Sequence, residues 1–174
     1  QATFIDSKGN IWVGTDKGCH IYNQDTAYTL PLFDKSSENN ITSFNEDIDG
    51  NIYVATGAGI SFYGKNEVKR FRLKGGASTI FKGTSIYLDS NEVLLGGVQG
   101  LATIEDDIIK LINEEFHFPT TMVHTIAKDN AGTYWFGTDE GLMSFDGNTL
   151  SYPKYGNGLL RNKIRTIIID ENSN

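Results

Sequence analysis

Asp129-Asn130-Ala131-Gly132-Thr133-Tyr134-Trp135-Phe136-Gly137-Thr138-Asp139-Glu140-Gly141 reads as a turn, a short strand carrying a large aromatic, a small-residue position and a second turn. The pattern returns as Asp6-Ser7-Lys8-Gly9-Asn10-Ile11-Trp12-Val13-Gly14-Thr15-Asp16-Lys17-Gly18 and as Asp47-Ile48-Asp49-Gly50-Asn51-Ile52-Tyr53-Val54-Ala55-Thr56-Gly57-Ala58-Gly59. A worn copy runs from Leu88 to Gly100. Gly18, Gly59, Gly100 and Gly141 are each 41 residues apart, and so are the small residues Gly14, Ala55, Gly96 and Gly137. Asp6, Asp47, Leu88, Asp129 and Asp170 keep the same interval, so a fifth copy opens at the last of them. A fixed period of about 20–50 residues marks a repeat architecture rather than a two-layer domain.

Each copy divides into four short strands. In the second, the turn residues Asp49-Gly50, Gly57-Ala58-Gly59 and Gly64-Lys65-Asn66 separate strands expected at 41–46, 51–56, 60–63 and 67–73. Asp106–Glu115 has weak helical spacing, but its Ile108-Ile109-Lys110-Leu111-Ile112 run stands where the other copies place their fourth strand, so it is expected to be strand. Runs such as Ile11-Trp12-Val13 and Tyr134-Trp135-Phe136 are apolar on both faces, which implies burial on both sides. Four-stranded units of this length, each sandwiched between neighbours, describe an all-β fold, the β-propeller. The expected blades span about 1–33, 41–73, 79–112 and 122–153, with a fifth beginning at 164. Trp12, Tyr53 and Trp135 should share a face with the small residue two positions on. The connections 31–40, 74–82, 113–122 and 154–163 are the longest and should line one rim.

Composition agrees with that architecture. Glycine is abundant at 19, proline scarce at 3, and aromatics crowd between the glycines. A net charge of −7, a pI near 4.9 and scattered Lys and Arg argue against a nucleic-acid surface. The single cysteine, Cys19, excludes an internal disulfide; it aligns with Ile60, Leu101 and Leu142 and reads as a small buried apolar residue. No apolar run is long enough to span a membrane. His20, His117 and His124 share no metal-ligand spacing, and no metal or cofactor is expected. Asn45-x-Asp47-x-Asp49-Gly50 opens like a calcium loop, yet Thr56 stands where the bidentate acid belongs. Asp6, Asp47 and Asp129 read instead as caps on the backbone amides of their own turns.

These residues resemble the two-component regulator propeller repeats. Asn39-Asn40-Ile41-Thr42-Ser43-Phe44-Asn45-Glu46-Asp47 leads straight into Asp49-Gly50-Asn51-Ile52-Tyr53-Val54-Ala55-Thr56, and Asn162-Lys163-Ile164-Arg165-Thr166-Ile167 opens the last copy. The third copy departs most, with Leu88, Asn91, Leu94 and Gly97 in place of the pattern's Asp, Gly, Trp and Thr, and is expected to have looser turns. The resemblance implies the periplasmic sensor region of a bacterial hybrid two-component histidine kinase, non-catalytic and detecting oligosaccharides. Alternatives are a propeller-fold glycan lyase or hydrolase, and a protein-interaction scaffold. The rim-loop residues that would serve a ligand are His117, Tyr152, Tyr155 and Arg161.

Two expectations concern the ends of the array. Thr3-Phe4-Ile5-Asp6 and Ile167-Ile168-Ile169-Asp170 are 164 residues apart, four periods, so both bring the same strand and compete for one slot. An open arc is therefore expected, pairing with the parent protein's remaining blades or with a second copy. Trp135→Ala should cost more stability than Trp12→Ala, whose repeat lies at the arc's edge.

Overall fold

The computed structural model describes residues 2–30, 40–74, 80–89, 92–153 and 162–170. It is all β. Blade 1 is β1 (Ala2–Ile5), β2 (Ile11–Thr15), β3 (Gly18–Tyr22) and β4 (Ala27–Leu30). Blade 2 is β5 (Ile41–Glu46), β6 (Ile52–Thr56), β7 (Gly59–Tyr63) and β8 (Val68–Leu73). Blade 3 is β9 (Gly83–Asp89), β10 (Glu92–Gly97), β11 (Gly100–Glu105) and β12 (Ile108–Leu111). Blade 4 is β13 (Val123–Lys128), β14 (Tyr134–Thr138), β15 (Gly141–Phe145) and β16 (Leu150–Ser151). Each is an antiparallel meander, and the Ile108–Leu111 segment is strand, as the repeat register required.

Strand alternation decides which neighbour each side chain meets. Trp12 and Gly14 point towards blade 2, where they meet Phe44 and Ile41. Val54, between Tyr53 and Ala55 on β6, points back and is fully buried against blade 1. Three cores result, one per blade junction: one around Trp12, Ile21, Phe44 and Val54, one around Ala55, Ile60, Phe81 and Leu95, one around Leu94, Val123, Phe136 and Met143. Cys19 is fully buried in the first, and burial pushes its thiol up to about 12. It is a packing residue.

The Asp turns hold as expected. Asp6 Oδ1 accepts the amides of Lys8 (3.0 Å) and Asn10 (2.8 Å), Asp47 Oδ1 those of Asp49 and Asn51, and Asp129 Oδ1 those of Ala131 and Thr133. Asp47 is thus committed to its own loop rather than to a calcium ligand set. The second oxygen does what the sequence did not reveal: Asp6 Oδ2 accepts Trp12 Nε1 at 2.9 Å, and Asp129 Oδ2 accepts Trp135 Nε1 at 2.8 Å. For Asp6, burial raises the carboxyl, and the bonds from Trp12 and Asn10 outweigh it, so the net direction is down; for Asp129, the Trp135 and Thr133 bonds lower it. A carboxyl lowered by folding contributes stability that is fully present above its unfolded value and lost as the pH falls through the folded value. Stability should therefore begin to fall as the pH drops through the ordinary value of 3.8, with a shallower acid limb in Asp129→Asn. Acid titrations of the denaturant midpoint would check this, and an unchanged limb would contradict it.

A second recurring turn closes strands two and three. Thr15, Thr56 and Thr138 hydroxyls donate to the carbonyls of Gly18, Gly59 and Gly141, at 3.0, 3.1 and 2.9 Å. Those glycines have φ of +130, +133 and +122°, which side-chain-bearing residues rarely adopt. Gly141→Val should accordingly destabilise more than Gly64→Val, whose added Cβ would meet the movable ring edge of Phe62; comparison of melting midpoints decides it. In blade 3 the threonine is Gly97, and Asn113 takes over: its Oδ1 accepts Leu101 N at 2.7 Å and its Nδ2 donates to Gln99 O at 2.8 Å.

Three expectations need correction. In the third blade pairing of β9 with β10 continues out to Asp89↔Glu92, further than in the other blades, while the two residues between them, where a looser first turn was expected, lie outside the described residues. The 41-residue spacing also slips there. Phe44 pairs with Val54, and Ile126 with Phe136, but the partner of Leu95 is Ile86, so β9 starts one residue late and its turn recovers the difference. Lastly, Trp12 is buried while Trp135 is half-buried. The Trp face looks to the following blade, so the edge that matters for it is the far one.

Blades 2 and 3 are further joined along their outer strands. β8 runs long, and Arg72↔Ile108 and Leu73↔Ile109 pair in parallel, with Lys74 N donating to Ile109 O at 2.9 Å. The two blades thereby make one eight-stranded sheet. Residues 162–170 join no sheet among the described residues. Ile164 N nevertheless donates to Thr138 O at 3.0 Å, and the Ile164 side chain sits over Gly137. That is the seat Ile41 takes on Gly14 and Val123 on Gly96.

Candidate functional site

The residues just before the first strands of blades 2, 3 and 4 lie beside the turns between second and third strands, at one rim. Asn40, Lys82 and Met122, each just before a first strand, accept the amides of Gly57, Val98 and Asp139 at 3.1 Å. The first strand then makes a bulge, between Ile41 and Ser43 in blade 2 and between Val123 and Thr125 in blade 4. The extra residue turns its side chain to the rim.

What occupies the bulge differs by blade. Thr42 Oγ1 lies 2.8 Å from Gly83 O and 3.1 Å from Ala55 O, tying blade 2 to blade 3. Thr84 makes the same bridge to Val123 O. In blade 4 the residue is His124, and its ring reaches the turn instead: Nε2 is 2.8 Å from Asp139 Oδ1. Lys163 Nζ approaches the same oxygen at 2.7 Å. The bonds from His124 and then Lys163 hold the Asp139 carboxyl below its ordinary value of 3.8. Asp139 and Lys163 are largely exposed, and His124 lies mostly beneath them.

Three elements thus converge: the start of β13, the β14–β15 turn and the segment leading to Ile164. The trio offers hydrogen-bond donors and an acceptor within one small area, suited to a polar ligand. A His–Asp pair is also part of a hydrolytic triad, but Nε2 is engaged with Asp139, and among the described residues no hydroxyl or thiol bonds to His124. Nor do any three His, Cys, Asp or Glu side chains among the described residues form a metal-ligand group.

The residues expected from sequence fare differently. His117 is exposed in the turn after β12, with φ of +51° and its amide bonded to Glu114 O at 3.2 Å. Tyr152 is exposed beyond β16. No contact joins the two among the described bonds. Tyr155 and Arg161 lie outside the described residues. His124, Asp139 and Lys163 were missed, although His124 stands where the other bulges carry threonine. That signal becomes readable only once the one-residue slip in β9 aligns Thr84 with it.

Residues 117–140 match the family model described as two component regulator propeller. No curated protein matches the chain in sequence. Among solved structures, the extracellular domain of a hybrid two component system from B. thetaiotaomicron is similar with a TM-score of 0.78 at 24% identity, over 98% of this chain and 25% of that one. A second such domain from B. thetaiotaomicron gives 0.75 at 22% identity, over 94% of this chain and 24% of that one. Virginiamycin B lyase from Staphylococcus aureus gives 0.67 at 15% identity, over 90% and 55%. The chain spans about a quarter of the length of the two extracellular domains, and identities this low establish the shared propeller fold and nothing finer. Taken with the 41-residue repeat in which the family match lies, they make the chain similar to the two component regulator propeller repeats, the match itself covering residues 117–140.

Proposed function

We propose that this chain is a ligand-sensing, non-catalytic propeller segment of a bacterial two-component receptor, exposed on the periplasmic side, and that it detects oligosaccharides at the rim. The observation that carries the reading is the two component regulator propeller match within the repeat, supported by the likeness to extracellular domains of hybrid two component systems. His124, Asp139 and Lys163 supply the polar groups such a ligand would meet, with Tyr152 and His117 on neighbouring parts of the chain. The lyase reading is kept because virginiamycin B lyase shares the fold.

One experiment separates the alternatives. Incubation with a panel of neutral and acidic oligosaccharides, followed by calorimetry and product analysis, should give saturable binding without turnover. Turnover would favour a lyase or hydrolase, and silence a protein-interaction scaffold. In Asp139→Asn and His124→Ala, binding should weaken at least about fivefold, the scale of one hydrogen bond of roughly 1 kcal/mol. Unchanged affinity in both would move the ligand away from this rim cluster.

A further inference from the structure

We propose that His124, Asp139 and Lys163 form an ionic latch on the segment that follows blade 4, at the one junction of the array whose tie a charged solute can open from the rim. The other junctions set the comparison. In blades 2 and 3 the bulge residue crosses to the next blade with a hydroxyl: Thr42 Oγ1 lies 2.8 Å from Gly83 O, and Thr84 Oγ1 reaches Val123 O. Gly83 and Val123 are the residues seated on Ala55 and Gly96, so each hydroxyl pins the incoming strand at its seat. Both ties end on a backbone carbonyl and carry no net charge.

At the next junction the seated residue is Ile164, on Gly137. The bulge residue is His124, whose Nε2 holds Asp139 Oδ1 at 2.8 Å within blade 4, and the crossing is made by charge: Lys163 Nζ is 2.7 Å from that same oxygen. Beside it Ile164 N donates to Thr138 O, so residues 163 and 164 of the segment grip residues 139 and 138 of the blade. The other junctions cannot copy this. The equivalent positions, two places after the small residue and one before the seated one, hold Asp16 with Asn40, Gly57 with Lys82, and Val98 with Met122, none of them opposite in charge. The side chains of Asp139 and Lys163 are 43% and 42% exposed, so solutes reach the pair. An exposed ion pair is weak and screened by salt, which is what lets a modest competitor open it. A rim ligand that takes either charge does so at the expense of the pair and loosens residues 162–170, and their docking opposes the ligand by the same factor. That consequence rests on the sensing role proposed above; the latch itself does not.

Hydrogen exchange at the Ile164 amide reads the latch, with the Val98 amide, bonded to Lys82 O on the same rim, as internal reference. In Lys163→Met and in Asp139→Asn, exchange at Ile164, corrected for the intrinsic rate, should speed about two- to fourfold relative to Val98, the scale of an exposed ion pair acting on local opening. Each single charge reversal, Asp139→Lys or Lys163→Asp, should speed it at least as much, and the two together should bring it back towards the wild-type rate. Raising sodium chloride from about 0.02 M to about 0.5 M should speed Ile164 relative to Val98 in the wild type and leave that ratio unchanged in Lys163→Met. Exchange at Ile164 that ignores Lys163→Met, a reversed pair that recovers nothing, or a salt response shared equally by Val98 overturns the latch. No oligosaccharide enters the experiment, so a silent sugar panel beside a salt-sensitive Ile164 removes the sensing role and keeps the latch, while saturable sugar binding beside a salt-blind Ile164 does the reverse.

Discussion

Replacing Trp12 by alanine is expected to lower stability by about 3–5 kcal/mol, the range for deleting a large buried aromatic, and Trp135→Ala by distinctly less. Trp12 is 6% exposed and wedged between Phe44 and Tyr63, with ring centroids 6.0 and 6.4 Å away. Its indole also gives buried Asp6 one of its donors, at 2.9 Å. Alanine would leave a cavity in the junction between blades 1 and 2 and strip that carboxylate oxygen of the bond. Trp135 keeps the equivalent bond to Asp129 but is only half-buried, with Ile164 seated on Gly137 of the same strand. Trp12→Phe should retain most of the packing and lose about 1 kcal/mol for the missing donor. Urea midpoints of the three variants would test the order. Equal losses for Trp12→Ala and Trp135→Ala would mean that the junctions do not carry the stability.

The second large effect is expected at Gly96. A Cβ there would lie 2.8 Å from Val123 Cγ1 and 3.3 Å from Val123 O, so Gly96→Val pushes a side chain against the backbone of the next blade. The cost should reach or exceed about 3 kcal/mol, the upper part of the range for overpacked cores. Across the junctions the seat is complementary in size: Gly14 receives Ile41, Ala55 receives Gly83, Gly96 receives Val123 and Gly137 receives Ile164. Where the second strand grows by a methyl, the incoming residue shrinks. Gly96→Ala should therefore be rescued in part by Val123→Gly, a coupling that a double-mutant cycle measures directly. Strict additivity of the two losses would show that the residues do not share a seat. By contrast, Gly9 has open space around its Cβ position, and Gly9→Ala should cost only the strain of its +79° φ, about 1–2 kcal/mol.

Much of this was legible in the residues because repetition multiplies weak signals. One Asp six positions before one Trp means little. The same pair at 6 and 12 and again at 129 and 135, with Tyr53 following Asp47, identifies a turn and the strand after it. The spacing of small residues likewise points to close approach between units. Repetition misleads where a copy deviates: Leu88 and Gly97 suggested loosened turns, whereas β9 and β10 pair further and Asn113 supplies the missing bonds.

The amino-acid sequence by itself determined the all-β class, the four-strand unit, the 41-residue period, the Asp-capped turns and the burial of Cys19. These follow from local chemistry: turn residues, strand patterning and interval. Only the tertiary structure decided which face of each blade meets which neighbour, and hence that Trp12 is the buried one of the two tryptophans. The Asp–Trp bonds, the parallel seam between β8 and β12, and the meeting of His124, Asp139 and Lys163 belong to the same class. The physical reason is that periodicity specifies a repeating unit and its alternation of faces. Contacts between side chains on different units depend on the distance and angle at which the units pack, and on single-residue slips such as that in β9, which shift a whole strand against its partner.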